Sequence, residues 1–286
     1  MSDSKKIRPI VGQIVKTVQE TSDTWTLHIA TEPEDRHYQA GQFLSIDPHQ
    51  FEELSEIIAY LEHKKGRKEL IRAYSMASAP HEETVSFTIK PERFDPKHDE
   101  YPPLLSPFLA SAAMLGRTLK FSGYAGPYIL PINLEEQTNE VLHLVAGSGA
   151  VPNFSLLKDQ LVSGKNPDVF HTLINVNKTY EDIIYRQELE ELAKAFPNRF
   201  KLVHLLTREE RAGFLAGRPT LELIKSHIKD PNRVLAYACG SAITKWQKKK
   251  AELTGETLAP RFIESISGFM TALGIDKKRF KHESYG

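Results

Sequence analysis

The chain has 286 residues, more than one hydrophobic core usually organises, so two domains are expected. Its 37 basic and 37 acidic side chains cancel, which removes any global field favouring nucleic acid or an anionic membrane. A single cysteine, Cys239, excludes an internal disulfide and an iron–sulfur cluster ligated by this chain's cysteines alone, and electrons that leave singly then need an external carrier.

The opening residues MSDSKKIRPIVGQIV hold no apolar core of signal-peptide length, and no run approaches the ~20 apolar residues that cross a bilayer, so a soluble cytoplasmic protein is expected. From Val11 to about Leu130 short β-rich runs alternate with Gly and Pro: IVGQIV, TWTLHIA, GQFLSI, TVSFTIK, RTLKFSG and GPYIL. That spacing predicts an antiparallel β-barrel. Residues 48–70 interrupt it, with Phe51, Leu54, Ile57, Ile58 and Leu61 at helical spacing, and read as an inserted amphipathic helix. INLEEQTNE is polar and without periodicity, which sets the expected domains at 1–137 and 138–286.

From Glu140 onward strands alternate with helices: EVLHLVAG then NFSLLKDQLVSG, VFHTLINV then IIYRQELEELAKAF, FKLVHLLT then PTLELIKSHI, RVLAYACG then ITKWQKKKAELTG. Repeated βα units predict a parallel sheet with helices on both faces, an α/β fold. Residues 260–273 place Phe262, Ile266, Phe269, Met270 and Leu273 on one helical face, with Gly274 as the cap.

In the first half the strongest motif is Arg72-Ala73-Tyr74-Ser75, preceded by Gly41-Gln42-Phe43 and followed by Gly126-Pro127-Tyr128. The chain here resembles the ferredoxin–NADP reductase family, whose flavin domain carries Arg-x-Tyr-Ser at the end of a barrel strand, and the resemblance continues through the second half. It implies that Arg72 contacts the FAD diphosphate, that Tyr74 packs on the isoalloxazine, and that Ser75 lies near flavin N5. A guanidinium fork suits a diphosphate, an aromatic face a flat ring, and a hydroxyl a ring nitrogen. Ala73 and Ser106 complete the expected FAD contacts, although Pro102-Pro103-Leu104-Leu105-Ser106 lacks the glycine that relatives usually carry just before this segment.

The second half has three sets of candidates. Gly147-Ser148-Gly149, after an apolar strand and before a helix, resembles the family's Gly-(Ser/Thr)-Gly-x-x-Pro loop, where glycines admit a pyrophosphate and the helix N-terminus offers free N–H groups. Cys239 and Gly240 end the strand RVLAYACG, at the sheet edge where such folds bind ligands; Ser241 stands where relatives carry Pro. The resemblance makes Tyr285 a shield over the flavin and Glu283 part of a proton or charge network, so that Ser75, Cys239, Glu283 and Tyr285 form the expected catalytic set. For the nucleotide, the second strand ends Asn175-Val176-Asn177-Lys178 without the carboxylate that binds a ribose 2′-hydroxyl, while Lys178, Thr207 and Arg208 suit a 2′-phosphate.

The expected activity is therefore hydride transfer between NADPH and FAD, with electrons exchanged with a separate ferredoxin or flavodoxin, and no metal. Two alternatives stay open within electron transfer: the reductase component of a multicomponent oxygenase, and an FAD-holding relay subunit without NADPH turnover. A third is a module that senses dinucleotides without reacting.

Overall fold

The computed structural model describes residues 9–91, 94–96 and 99–285. Residues 1–8 of the opening segment, on which the expectation about a leader was partly based, lie outside them, as does Gly286. The chain forms two compact units: the described residues up to Gln19 with Asp23–Pro127, and Glu20–Ser22 with the chain from Tyr128 onward.

In the first unit, β1 (Ile10–Thr21), β2 (Thr24–Ala30), β3 (Phe43–Ile46), α1 (Ser55–Lys65), β4 (Arg72–Ser75), β5 (Val85–Ile89), α2 (Leu105–Leu109) and β6 (Thr118–Ala125) follow in order. The strands make one antiparallel sheet, β4-β3-β6-β1-β2-β5. An antiparallel bridge between Met76 and Phe87, with Ala77 N–H donating to the Ser86 carbonyl at 2.7 Å, joins the end strands and closes the barrel. Closure removes the open edges that would otherwise pair with other chains. Ile10 and Ile14 point inward from β1 while Val11 and Val15 stay exposed, the period of two that a one-sided strand requires. GPYIL, predicted as a strand, is irregular: Gly126 sits at φ +115° and Pro127 has no N–H to give a ladder.

The insertion begins as two 3-10 turns, Pro48–Gln50 and Glu52–Leu54, and becomes α1 only at Ser55. Phe51, Leu54, Ile58 and Leu61 are buried in the barrel's own core cluster, so the apolar stripe covers the barrel itself; Ile57 is exposed. Gly66, at φ +64°, ends the helix and turns the chain back to β4.

The second unit contains α3 (Leu134–Gln137), β7 (Glu140–Ala146), α4 (Ala150–Leu161), β8 (Phe170–Asn177), α5 (Arg186–Ala195), β9 (Phe200–Leu206), β10 (Leu215–Ala216), α6 (Leu221–Lys225), β11 (Leu235–Ser241), α7 (Lys245–Thr254), α8 (Phe262–Ala272) and β12 (Phe280–Tyr285). All its strands are parallel, in the order β10-β9-β8-β7-β11-β12. The strand order reverses between β7 and β11, and the crevice at their carboxyl ends is the ligand position of open α/β sheets. Leu142, Leu144, Ala236 and Ala238 pack with Ile263, Ile266 and Met270 of α8. Alternation sends His143, Tyr237 and Cys239 to the opposite face, toward α4.

The end of α8 is a Schellman motif: Ile275 N–H donates to the Met270 carbonyl and Gly274 N–H to that of Thr271, with Gly274 at φ +71°. The terminal residues, expected only as a segment reaching the flavin, are β12, paired in parallel with β11.

Candidate functional site

In the barrel, β4 pairs with β3 so that Ile46 lies opposite Arg72, Leu44 opposite Tyr74 and Phe43 opposite Ser75. Arg72 and Tyr74, two apart, share a face; Arg72 and Ala73 are exposed, Tyr74 is half-buried, and Ser75 is buried. The Tyr74 ring lies 5.3 Å from that of Phe87, leaving part of its surface uncovered. Gly126 explains the link between two of the motifs: a Cβ there would stand 2.9 Å from Phe43 Cδ1. Ser106, half-buried, is in α2.

In the parallel-sheet unit, Gly147–Gly149 form one 3-10 turn between β7 and α4. The two glycines do different work. Gly147 has φ +54° and open space where a Cβ would project, which leaves a cradle at the N-terminus of a twelve-residue helix. At Gly149 a Cβ would meet the Cys239 carbonyl oxygen at 2.0 Å, so this glycine lets the turn touch β11 rather than a ligand. Gly240 likewise gives its space to Phe262 and Ala146.

The register of β12 puts Glu283 opposite Cys239 and Tyr285 opposite Ser241. Three of the four expected catalytic residues therefore meet on neighbouring strands, whereas Ser75 belongs to the barrel unit. Burial pushes the Cys239 thiol far up, reinforced by the Glu283 carboxylate and opposed by hydrogen bonds from Tyr285 and Gly240. The group is a neutral thiol, unsuited to nucleophilic attack.

Beneath Cys239 lies a buried polar chain with no sign in the motifs. Asn153 Nδ2, on α4, donates to the Tyr128 hydroxyl at 3.0 Å and to the Gly149 carbonyl at 3.3 Å. Its Oδ1 faces His143 Nδ1 at 2.8 Å, and His143 Nε2 faces His171 Nδ1 at 3.1 Å. Because an amide oxygen can only accept, His143 carries its proton on Nδ1 and takes one from His171 on Nε2. Both rings are neutral: burial lowers His143 to about 4, and burial with the neighbouring His143 lowers His171 further. His171 Nε2 is buried without a partner. Residue 128 is tethered through the adjacent Ile129 carbonyl, which accepts from Tyr237 Oη at 2.8 Å and Lys281 Nζ at 2.9 Å.

The third group forms where β8 and β9 end. Thr207 N–H donates to the Asn177 carbonyl and Arg208 N–H to that of Lys178, both at 2.9 Å, so Lys178, Thr207 and Arg208 come together. Lys178 and Arg208 are exposed. Sequence reasoning missed their neighbours: Arg186 and Arg211 stand 4.3 and 3.6 Å from the centre of the Tyr180 ring, and Tyr180 N–H donates to Glu209 at 2.8 Å. Among the described residues no helix is long and apolar enough to cross a membrane, and no group of three or more His, Cys, Asp or Glu could hold a metal ion.

A closed antiparallel barrel followed by a doubly wound parallel sheet defines the ferredoxin–NADP reductase-like architecture of FAD/NAD-binding flavoreductases. Residues 144–248 match the oxidoreductase NAD-binding domain family. The chain is 35% identical over 99 residues to NADH-cytochrome b5 reductase 2 of Xenopus tropicalis, covering 34% of this chain and 32% of that protein. It is 27% identical over 237 residues to the ferredoxin reductase component of 3-ketosteroid-9-alpha-monooxygenase of Rhodococcus rhodochrous, covering 82% of this chain and 58% of that one. Its fold superposes on the FAD/NAD-binding domain of Vibrio cholerae nitric oxide dioxygenase with a TM-score of 0.70 at 19% identity, over 97% and 98% of the two chains. The fold is therefore ferredoxin–NADP reductase-like, and the chain spans about a third to just over half of those two curated relatives.

Proposed function

We propose that this chain is an FAD-dependent NADPH oxidoreductase that exchanges electrons with a separate carrier, a ferredoxin, a flavodoxin or the iron–sulfur component of an oxygenase, in the cytoplasm. Residues 1–137 hold FAD and 138–286 hold the nucleotide. The observation that carries the reading is the Gly147 cradle at the sheet's switch point, on the same chain as an Arg-x-Tyr-Ser barrel strand. Flavin and nicotinamide, when bound, supply the redox chemistry.

The chain's own residues bind, orient and shield. Arg72 offers its guanidinium to the diphosphate, with Ala73 and Ser106 beside it; Tyr74 offers a ring face and Ser75 a hydroxyl. Gly147 and Ser148 receive the nucleotide pyrophosphate on the first N–H groups of α4, and Gly149 and Gly240 keep the turn closely packed. Cys239 lines the nicotinamide pocket as a neutral thiol, Glu283 supplies charge beside it, and Tyr285 covers the flavin ring.

Lys178, Thr207 and Arg208, joined by Arg186 and Arg211, support a 2′-phosphate. One observation favours NADH instead: Glu209, bonded to Tyr180 N–H, places a carboxylate in the same group. Removing Arg208 decides between them. Under the NADPH reading, Arg208→Ala weakens NADPH by a charge-assisted contact of about 1.5–3 kcal/mol and leaves NADH nearly untouched. Equal losses for both nucleotides refute it. The overall reading is tested by the visible spectrum of the purified chain: flavin bands bleached by NADPH under argon support it, and a colourless protein or bands indifferent to either nucleotide refute it.

A further inference from the structure

We infer that Glu69, carried by the insertion between β3 and β4, is the positioning residue that aims Arg72 at the flavin diphosphate, with Lys65 as its buried counter-charge. This rests on the proposed role of Arg72. The insertion's apolar stripe is spent on the barrel, but its return segment brings a carboxylate to the first residue of the flavin-motif strand. The Glu69 side chain is only 1% exposed, and a carboxylate removed from water needs cationic partners. One oxygen meets the ammonium of Lys65, whose side chain is 8% exposed and lies 4.7 Å from the centre of the Tyr101 ring. The other oxygen faces Arg72 Nη2 at 3.4 Å.

The charges make this arrangement useful for an anion. Lys65 and Glu69 cancel, so the net charge of the trio is that of Arg72. Arg72 remains 43% exposed, and Glu69 engages only one of its nitrogens, leaving the other edge of the fork for phosphate oxygens. A long arginine side chain that is already oriented loses less freedom when the ligand arrives.

Glu69 is itself fixed from behind. Its N–H donates to Glu62 Oε1 at 2.8 Å, and the same oxygen accepts from His49 Nε2 at 2.9 Å. His49 Nδ1 in turn faces Asp47 at 2.6 Å, just beyond β3. With carboxylates at both ring nitrogens, His49 holds its proton more firmly than an ordinary histidine. The line from Asp47 through His49 and Glu62 to Glu69 ties the insertion's two ends together beside β4.

The test measures FAD binding to the full-length chain freed of flavin, by quenching of flavin fluorescence. Glu69→Gln alone leaves Lys65 buried without a counter-charge, so the decisive variant is Lys65→Met with Glu69→Gln, which removes both charges and keeps the volume. We expect this pair to weaken FAD about tenfold in the parent chain and to have no further effect when Arg72→Ala is already present, because Glu69 acts through Arg72. A merely structural role predicts the same loss in both backgrounds, and that result overturns the inference. So does unchanged affinity in the parent background while Arg72→Ala alone weakens FAD. If Arg72→Ala leaves FAD affinity unchanged, the flavin role of Arg72 fails, and this inference falls with it.

Discussion

The two units organise polar side chains in opposite ways. At the barrel's edge the network is built on carboxylates: His49 bridges Asp47 and Glu62, Lys65 and Arg72 both meet Glu69, and the group ends on an exposed guanidinium. Inside the parallel sheet it is neutral: His171, His143, Asn153 and Tyr128 are fully enclosed, joined by hydrogen bonds, and placed under a protonated thiol. The difference follows from solvation. In the barrel the buried Glu69 and Lys65 offset each other and the chain of pairs ends on Arg72, 43% exposed, whereas between a sheet and a helix an unpaired charge would carry a large desolvation penalty. The barrel network ends on an exposed charge, while the chain inside the sheet unit holds backbone in place without any.

The largest effect should come from the closest approach in the sheet unit. Gly149→Ala drives a Cβ into the Cys239 carbonyl, which is backbone on both sides, and should cost about 3 kcal/mol or more in urea unfolding along with most nucleotide affinity. In the barrel, Gly126→Ala meets the Phe43 ring, a side chain that can yield, and adds the strain of a Cβ at φ +115°, so it should cost about 1–3 kcal/mol, less than the backbone clash at Gly149. Equal penalties would remove the contrast.

Acid should separate the units next. His143 is neutral when folded down to about pH 4, but the unfolded ring takes a proton below its ordinary 6.5. Its contribution is therefore complete above pH 6.5 and lost as pH falls toward 4, by up to about 3 kcal/mol. His49 has the opposite sign, its pKa raised by the hydrogen bond to Asp47 and then by that to Glu62. What it contributes is complete below pH 6.5 and lost as pH rises through its folded value. Stability of His49→Gln against the parent from pH 5 to 9 checks this: the deficit should shrink with rising pH, and a constant deficit would contradict the ionic clasp.

Asn153→Leu keeps the volume but takes the Asn153 partner from His143 Nδ1 and the Tyr128 hydroxyl in the interior, at a cost of about 1–3 kcal/mol. Because Asn153 also holds the Gly149 carbonyl, nucleotide affinity should drop with stability. A stable variant with unchanged NADPH binding would show that the neutral chain has no hold on the turn. The smallest change should be Tyr285→Ser, which removes a ring contact worth about 0.5–1.5 kcal/mol, so discrimination between NADPH and NADH should fall roughly two- to tenfold in stopped-flow reduction. An unchanged ratio would show that Tyr285 is no gate.

Periodicity alone determined the architecture. Residues alternating in pairs through the first half produce a barrel, βα repeats a parallel sheet, and the apolar stripe ending before Gly274 a capped α8, because these patterns are local consequences of backbone geometry. Periodicity placed the glycine turn, the Arg72 strand and the Lys178–Arg208 group at strand ends, but it was the resemblance of their residues to a family's motifs that singled them out as a site. GPYIL was misread because its apolar residues suit a strand while Gly126 and Pro127 do not. Only tertiary structure decided that Gly149 answers to Cys239, that the last residues are a strand, that His143 reaches Tyr128 through Asn153, and that Glu69 meets Arg72. A buried histidine in an apolar strand or a glutamate in a charged loop has no mark of its partner, since the partner is chosen by which strands pair and which helix covers them.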